Sequence, residues 1–351
     1  MIKTRILSGT VALLSLAGFS GCRPAPESAN TEPAESIPVL RSRQDGVMGT
    51  RLKITVIGDD PALLDRAMAA AAGEIKRVED LMTDWRASEL TSLNESAGKG
   101  SRKVPRELAA IISRGIELHR LTDSAFDITF AAAGKLWNFK TPPKSLPDPG
   151  KIKAALRHVN ADAVKVSAAD NTVELPAGMK LGLGGIAKGY GVDRAMKILR
   201  DHGIRNAIVD AGGDMKILGL EFGKPWKIAI KHPRRKGSAL AVLNLTNTCL
   251  VTSGDYERFF EFEGKHYHHI IDPRTGYPAR GCMSASVVAP NAEYADALAT
   301  SMCVLGPGKG LELIERLPKI EAVLVGMDGK VHVSSGLRGQ VPADGSEPAS
   351  E

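Results

Sequence analysis

Gly182-Leu183-Gly184-Gly185-Ile186-Ala187-Lys188-Gly189 is the densest glycine cluster in the chain, and its reading decides the fold. Taken literally, residues 182–187 fit G-x-G-x-x-A, the fingerprint that opens a helix beneath a dinucleotide diphosphate. A strand-like segment precedes it, a helical pattern follows it, and Asp210 stands at the end of the next apolar strand. That is the case for a Rossmann unit. Against it, the flanking segments do not continue as alternating strand–helix–strand units. Under either fold, backbone amides near a helix start can cradle phosphate oxygens, and Lys188 adds a point charge. The alternative is a tight strand-to-helix turn with no ligand.

Outward from the loop, the pattern is mixed. Residues 51–57 alternate Leu52, Ile54 and Val56 with polar neighbours, which predicts a strand. Pro61 opens a helix over 62–85 with Leu64, Ala67, Met68, Ala71, Ile75, Val78 and Met82 on one face. Pro105 starts a second helix, and a proline-rich link covers 141–149. Short strands are expected at 163–166, 173–176, 207–209, 226–230, 241–245, 250–252, 266–271 and 285–288. Helices are expected at 189–201, 292–304 and 310–317, and a final hairpin turns at Asp328-Gly329. Adjacent strands between long helices predict an α+β fold with largely antiparallel sheets and packed helices, not a Rossmann fold. Adjacent glycines at Asp210-Ala211-Gly212-Gly213-Asp214 mark either a close approach of backbone or ligand, or a β-turn.

The ends read differently. Lys3 and Arg5 precede an apolar stretch over 6–19 and the small residues Ser20 and Gly21, the layout of a secretory signal. The stretch is shorter than the roughly 20 residues a spanning helix needs. Phe19-Ser20-Gly21-Cys22 resembles a bacterial lipobox, so residues 1–22 are expected to be a lipoprotein signal with Cys22 lipidated. Residues 23–45, rich in Pro, Ala, Ser and Glu, read as a flexible tether holding a domain at a membrane surface. The catalytic domain is expected over 46–340 and a disordered tail over 341–351. Cys249, Cys282 and Cys303 lie in apolar or small-residue contexts without paired spacing, and are expected to be buried thiols. A net charge of +6 on 351 residues, with 5% aromatics and no Lys/Arg stripe, gives no support to nucleic-acid binding.

Several further segments complete a pattern. In order they are Met48-Gly49-Thr50; Met82-Thr83-Asp84-Trp85-Arg86 with Ser92-Leu93-Asn94; Ala125-Phe126-Asp127-Ile128-Thr129; residues 183–190; Gly212-Gly213-Asp214; Thr252-Ser253-Gly254-Asp255-Tyr256; His269-Ile270-Ile271-Asp272-Pro273-Arg274-Thr275-Gly276-Tyr277-Pro278; and Asp296-Ala297-Leu298-Ala299-Thr300. The ordered set resembles the ApbE family, the FAD:protein FMN transferases, over about residues 46–335. The resemblance implies a T-fold-like architecture and a magnesium-dependent reaction. The FMN half of FAD passes to a Thr or Ser hydroxyl of an acceptor flavoprotein of a membrane electron-transfer complex, and AMP leaves. It implies a periplasmic, lipid-anchored location. It points to Met48, Trp85, Ala125, Phe126, Asp127, Lys188 and Ile270 as FAD contacts, and to a Gly185 carbonyl as a metal ligand.

The residues supply chemistry for this. Asp296 and Thr300 stand at i, i+4 on one helix face and offer the hard oxygens magnesium takes; Asp296 alone would equally serve as a helix N-terminal acid. His269 is the candidate base for a hydroxyl nucleophile. Residues 268 and 269 point to opposite faces if this is a strand, which argues against a His266–His268–His269 metal cluster and leaves His266 and His268 as surface residues. Asp272, before Pro273, either orients the base or caps a turn. Trp85 suits ring stacking or helix-end core packing, and Asp127 either bonds the cofactor or caps a turn. Gly182 replaces the family's usual acid, and Asp210 is a candidate to compensate. Two other readings use the same residues: an FAD pyrophosphatase giving FMN and AMP, and a tethered FAD-binding lipoprotein without catalysis. No internal copy of the acceptor pattern (Asp, two residues, then Ser/Thr-Gly-Ala-Ser/Thr) is present, so self-labelling is not expected.

Overall fold

Alternation within single strands shows how the sheet is covered. In β14 (Glu321–Gly326), Ala322 and Leu324 join one core while Val323 and Val325 join another. Successive side chains face opposite sides, so a strand buried on both faces carries continuous apolar sequence. The computed structural model describes residues 37–141 and 143–342. Its main sheet has eight strands: β1 (Val39–Val47), β2 (Thr50–Gly58), β6 (Asn206–Ala211), β7 (Asp214–Leu218), β10 (Cys249–Gly254), β13 (Cys282–Ala289), β14 and β15 (Val331–Val333), in that spatial order. Every ladder between neighbours in this sheet is antiparallel.

Three helices cover one face: α1 (Pro61–Met82), α6 (Ala187–Asp201) and α7 (Ala292–Glu315). The Asp60 side chain accepts from the Ala62 and Leu63 amides and Pro61 sits in the first turn, which starts α1. All seven apolar positions expected of that helix are buried. The hairpin of β8 (Trp226–Lys231) and β9 (Ala239–Leu245) covers the other face through Trp226, Ile228 and Ile230, while Lys227, Ala229 and Lys231 face out. Helix α7 breaks at Gly306, whose φ of 76° is non-helical, before Pro307. This accounts for the two separate helical patterns in the sequence.

The fold is therefore α+β and antiparallel, not Rossmann. The strand expected before the glycine loop is β5 (Thr172–Glu174), which pairs with β3 (Arg102–Lys103) and β4 (Lys165–Ser167) in a separate small sheet. Other boundaries also moved. Helix α1 ends at Met82, with Thr83 extended at ψ 141°, so Trp85 lies outside it. β1 takes in residues 39–45, which composition assigned to the tether; nearly all of its side chains are exposed, so no apolar alternation marks it. Val341, placed in the tail by sequence, is buried in the core beneath β8 and β9. The signal, Cys22, residues 23–36 of the tether and residues 343–351 lie outside the described residues. Cys249, Cys282 and Cys303 are buried free thiols, as expected.

A third core of Trp137, Ile152, Phe260, Tyr267 and Ile271 holds the loop after β12 (Lys265–His268). The Trp137 indole donates to the Gly276 carbonyl at 2.8 Å, and the Ala279 amide donates to the Ile270 carbonyl at 2.8 Å. Ile270 belongs to the helix-side core and Ile271 to this aromatic one, so His269 stands at the start of a loop pinned from two sides.

Candidate active site

Helix α6 and the start of α7 touch at a glycine. A Cβ on Gly189 would lie 2.1 Å from the Ala292 carbonyl oxygen, so only glycine lets the two helices come this close. That approach brings Lys188 of α6 to Asp296 of α7. The Lys188 ammonium donates to Asp296 Oδ1 at 3.2 Å and to both oxygens of Asp214 at 2.8 and 2.9 Å. The Gly189 amide donates to Asp296 Oδ2 at 3.2 Å. The Ile186 and Ala187 amides return to the Leu183 carbonyl. Much of the loop's donor capacity thus serves its own turn and a carboxylate, and the open phosphate cradle expected from its glycines is reduced.

Asp214 arrives by a different route. Gly212 and Gly213, at φ 66° and 100°, form the two-residue turn between β6 and β7. A Cβ on Gly212 would lie 2.1 Å from Thr50 Oγ1, because the turn abuts the one between β1 and β2. The glycine pair is therefore both a β-turn and a close approach. Its consequence for the site is the buried Asp214 carboxylate, which was quoted in the sequence without a role.

Charge at this point is unbalanced. Asp214 and Asp296 are both 1% exposed and share one ammonium. Burial, and then the Asp296 charge, push the Asp214 carboxyl well above the usual carboxylate range, against the pull of Lys188. Burial acts to lower the Lys188 ammonium, but the two carboxylates more than offset it and hold it charged. One turn along α7, Thr300 Oγ1 lies 3.4 Å from Ser253 Oγ. A Cβ on Gly185 would come within 3.5 Å of that Thr300 oxygen and 3.0 Å of the Phe126 ring. Asp296, Thr300 and Gly185 are thus neighbours. Among the described residues no group of three or more His, Cys, Asp or Glu could hold a metal. One carboxylate, one hydroxyl and one carbonyl beside excess negative charge nevertheless fit magnesium, which keeps few protein ligands and takes the rest from phosphate and water.

These groups line a cavity of about 480 Å³ together with His269, Ile270, Met48, Trp85, Ala125, Phe126 and Asp127. Pockets for small ligands typically span ~300–1,000 Å³. Trp85 is 59% exposed at the cavity wall rather than packed in the core. Met48 has φ 49°, an uncommon conformation for such a side chain, in the β1–β2 turn. His269 is partly buried, and its Nδ1 has no hydrogen-bond partner among the described residues. Burial, then the positive charges nearby, lower its imidazole from 6.5 to about 4, so it is neutral at pH 7 and free to accept a proton.

Some sequence assignments need correction. Asp272 does not line the cavity. Its carboxylate takes two hydrogen bonds from the Arg274 guanidinium, at 2.9 and 2.8 Å, and its own carbonyl accepts from the Thr275 and Gly276 amides. It caps the loop and does not orient His269. Both oxygens of Asp127 are also engaged, with Thr129, the Ala161 amide and His119, so its carboxylate anchors the loop that carries Ala125 and Phe126. Asp210 accepts from the Gly213 amide at 2.9 Å in the hairpin turn and does not reach the cavity, so it does not compensate for Gly182. The strand expected to run to 271 ends at His268. His268 is buried, not a surface residue, with Nε2 bonded to the Ala279 carbonyl at 2.7 Å; the His266 ring lies against Phe259 at a 34° tilt. The sequence reading passed over Phe130, Glu79 and Arg258, which also line the cavity; single residues without spacing leave no signal.

The model of the ApbE family matches residues 48–324. An FAD:protein FMN transferase of Treponema pallidum (strain Nichols) is 35% identical over 315 residues, covering 84% of this chain and 87% of that protein. One of Klebsiella pneumoniae (strain 342) is 33% identical over 296 residues, covering 83% and 91%. Among solved structures, the ApbE protein of Thermotoga maritima MSB8 superposes with a TM-score of 0.78 at 33% identity, over 87% of this chain and all of that one. The flavin transferase ApbE of Vibrio cholerae gives 0.76 at 27%, over 87% of this chain and all of that one.

Proposed function

The chain belongs to the ApbE family, and on that premise we propose that it is an FAD:protein FMN transferase using magnesium, with a Ser or Thr hydroxyl as acceptor and AMP as leaving group. The observation that carries the reading is one cavity lined by His269, Lys188, Asp296, Thr300 and Gly185. Phosphoryl transfer is chiefly a matter of position and charge. The Trp85, Phe126 and Met48 side chains give the flavin or adenine an apolar wall. His269, neutral at working pH, takes the hydroxyl proton as the acceptor oxygen forms its bond to the FMN phosphorus. The bond from that phosphorus to the AMP oxygen breaks, and the electron pair leaves with AMP. Asp296, Thr300 and the Gly185 carbonyl would hold magnesium, which would supply positive charge beside the diphosphate and the departing phosphate. Lys188 stays tied to Asp214 and keeps Asp296 in place.

The acceptor is proposed to be a flavoprotein of a membrane electron-transfer complex. Lys3, Arg5, the apolar run and Cys22 support a lipid anchor on a bacterial membrane, with the catalytic domain in the periplasm. No helix among the described residues is long and apolar enough to cross a membrane.

Incubation with FAD, Mg²⁺ and a domain bearing the acceptor pattern tests the reading. AMP release together with flavin fluorescence on the denatured acceptor supports it. AMP and free FMN without labelling would make the protein a pyrophosphatase, and FAD binding without either product would make it a carrier.

A further inference from the structure

Of the cations lining the cavity, one has no carboxylate partner among the described residues. The lining residues include two, Lys188 and Arg258. Lys188 is already neutralised by Asp214 and Asp296. Arg258 makes no ion pair with a carboxylate among the described residues. The contact its guanidinium makes is from Nη2 to the Gly49 carbonyl, at 3.2 Å. Four of its five N–H donors are therefore available.

The placement of that side chain is determined by two turns. Arg258 lies between β10 and β11 (Phe259–Phe262), and its carbonyl accepts from the His269 amide at 3.0 Å. The backbone of the candidate base and that of the arginine are thus bonded directly. The guanidinium reaches across to the Met48-Gly49 turn, where a Cβ on Gly49 would come within 3.0 Å of Nη2. Lys188 and Arg258 both lower the basicity of His269, so the imidazole stands in the field of two cations. An uncompensated guanidinium beside a neutral base is suited to an anionic ligand rather than to a protein carboxylate.

We propose that Arg258 is a catalytic residue that grips the FAD diphosphate from the His269 side of the cavity and stabilises the charge on the transferring phosphoryl oxygens. The planar fork can donate two parallel hydrogen bonds to phosphate oxygens, which an ammonium cannot. Asp296 and Thr300 serve the diphosphate through a divalent cation; Arg258 serves it directly. The inference rests on the FAD reading of the cavity.

The test measures Arg258→Met and Arg258→Lys in the full chain, with inorganic pyrophosphate plus Mg²⁺ as the anionic probe and riboflavin as the phosphate-free one. Arg258→Met is expected to weaken pyrophosphate binding by about 10- to 100-fold, the usual range for lost charge-assisted hydrogen bonds. Riboflavin affinity and melting temperature are expected to stay at native values, since the side chain is exposed. Turnover of saturating FAD is expected to fall by about 100-fold or more. Arg258→Lys keeps the charge but loses the fork, and is expected to lie between the two. Native pyrophosphate affinity in either variant would overturn the proposal, as would an equal loss of riboflavin binding, which indicates a structural role. AMP release from FAD by the native chain is scored separately, so failure of the transferase reading and failure of the arginine assignment give different results.

Discussion

Replacing Gly189 with alanine should separate the two helices on which the proposed cation site depends. The new Cβ would meet the Ala292 carbonyl oxygen at 2.1 Å, its carbon at 2.6 Å and the Glu293 amide at 2.8 Å. All three are backbone atoms at the start of α7, so no side chain can turn aside. Reaching an ordinary contact near 3.4 Å requires an opening of about 1.3 Å. Overpacking of this type costs about 1–3 kcal/mol. The 3.2 Å bond from the Gly189 amide to Asp296 does not survive such a shift, and a hydrogen bond to a charged group contributes about 1.5–3 kcal/mol. Alanine returns about 1 kcal/mol of helix propensity. The net loss is about 2–5 kcal/mol, or roughly 3–8 °C in melting temperature for a chain of this size. Gly184→Ala is the control: nothing lies within 4 Å of its Cβ and its backbone is outside the left-handed region. It should melt within about 2 °C of native. Differential scanning fluorimetry with and without Mg²⁺ reads both effects. A Gly189→Ala protein that melts and responds to Mg²⁺ as the native chain does would refute the close-approach argument.

Other outcomes follow from the same geometry. His269→Gln should retain FAD affinity within about threefold while losing at least about 100-fold in transfer, measured by AMP release. The same residue shapes acid stability. Its folded value of about 4 lies below 6.5, so between these values the unfolded chain binds the extra proton. Stability from this group is intact above pH 6.5 and falls by an amount on the order of 3 kcal/mol as pH drops to 4; urea titrations should show a shallower decline in His269→Gln. Asp296→Asn should raise the Mg²⁺ concentration for half-maximal activity at least tenfold, and calorimetry with Mn²⁺ should show weakened binding. Asp210→Asn keeps the acceptor for the Gly213 amide and should leave FAD affinity within twofold, with or without Gly182→Asp, because the two positions share no contact.

What the sequence disclosed depended on the range of the interaction. Asp296 and Thr300 were legible because an i, i+4 spacing fixes a shared face once the helix is recognised. The face of α1 was legible for the same reason. The glycine loop was ambiguous because its local pattern suits either fold. What decides is which strand precedes it, and β5 pairs with β3 and β4 in a sheet separate from the main one. Asp272 was left open between two roles because its partner, Arg274, sits two residues away, where a turn contact competes with a role toward His269. Asp210 was misassigned because a carboxylate before Gly-Gly serves the turn itself. β1 was missed because an exposed edge strand carries no alternation. Asp214 and Arg258 reach the cavity through pairings between β7 and β10 and between His269 and the Arg258 carbonyl, and no spacing in the chain encodes these.

Under the proposed function, a divalent cation between Asp296, Thr300 and Gly185 meets a dinucleotide diphosphate beside His269. A crystal grown with Mn²⁺ and FAD, read by anomalous scattering at the manganese edge, addresses this most directly. One strong peak is expected within bonding distance of an Asp296 carboxylate oxygen, Thr300 Oγ1 and the Gly185 carbonyl, with a diphosphate oxygen completing the set. A peak at any other cavity, or FAD bound with its phosphates away from His269, would contradict it.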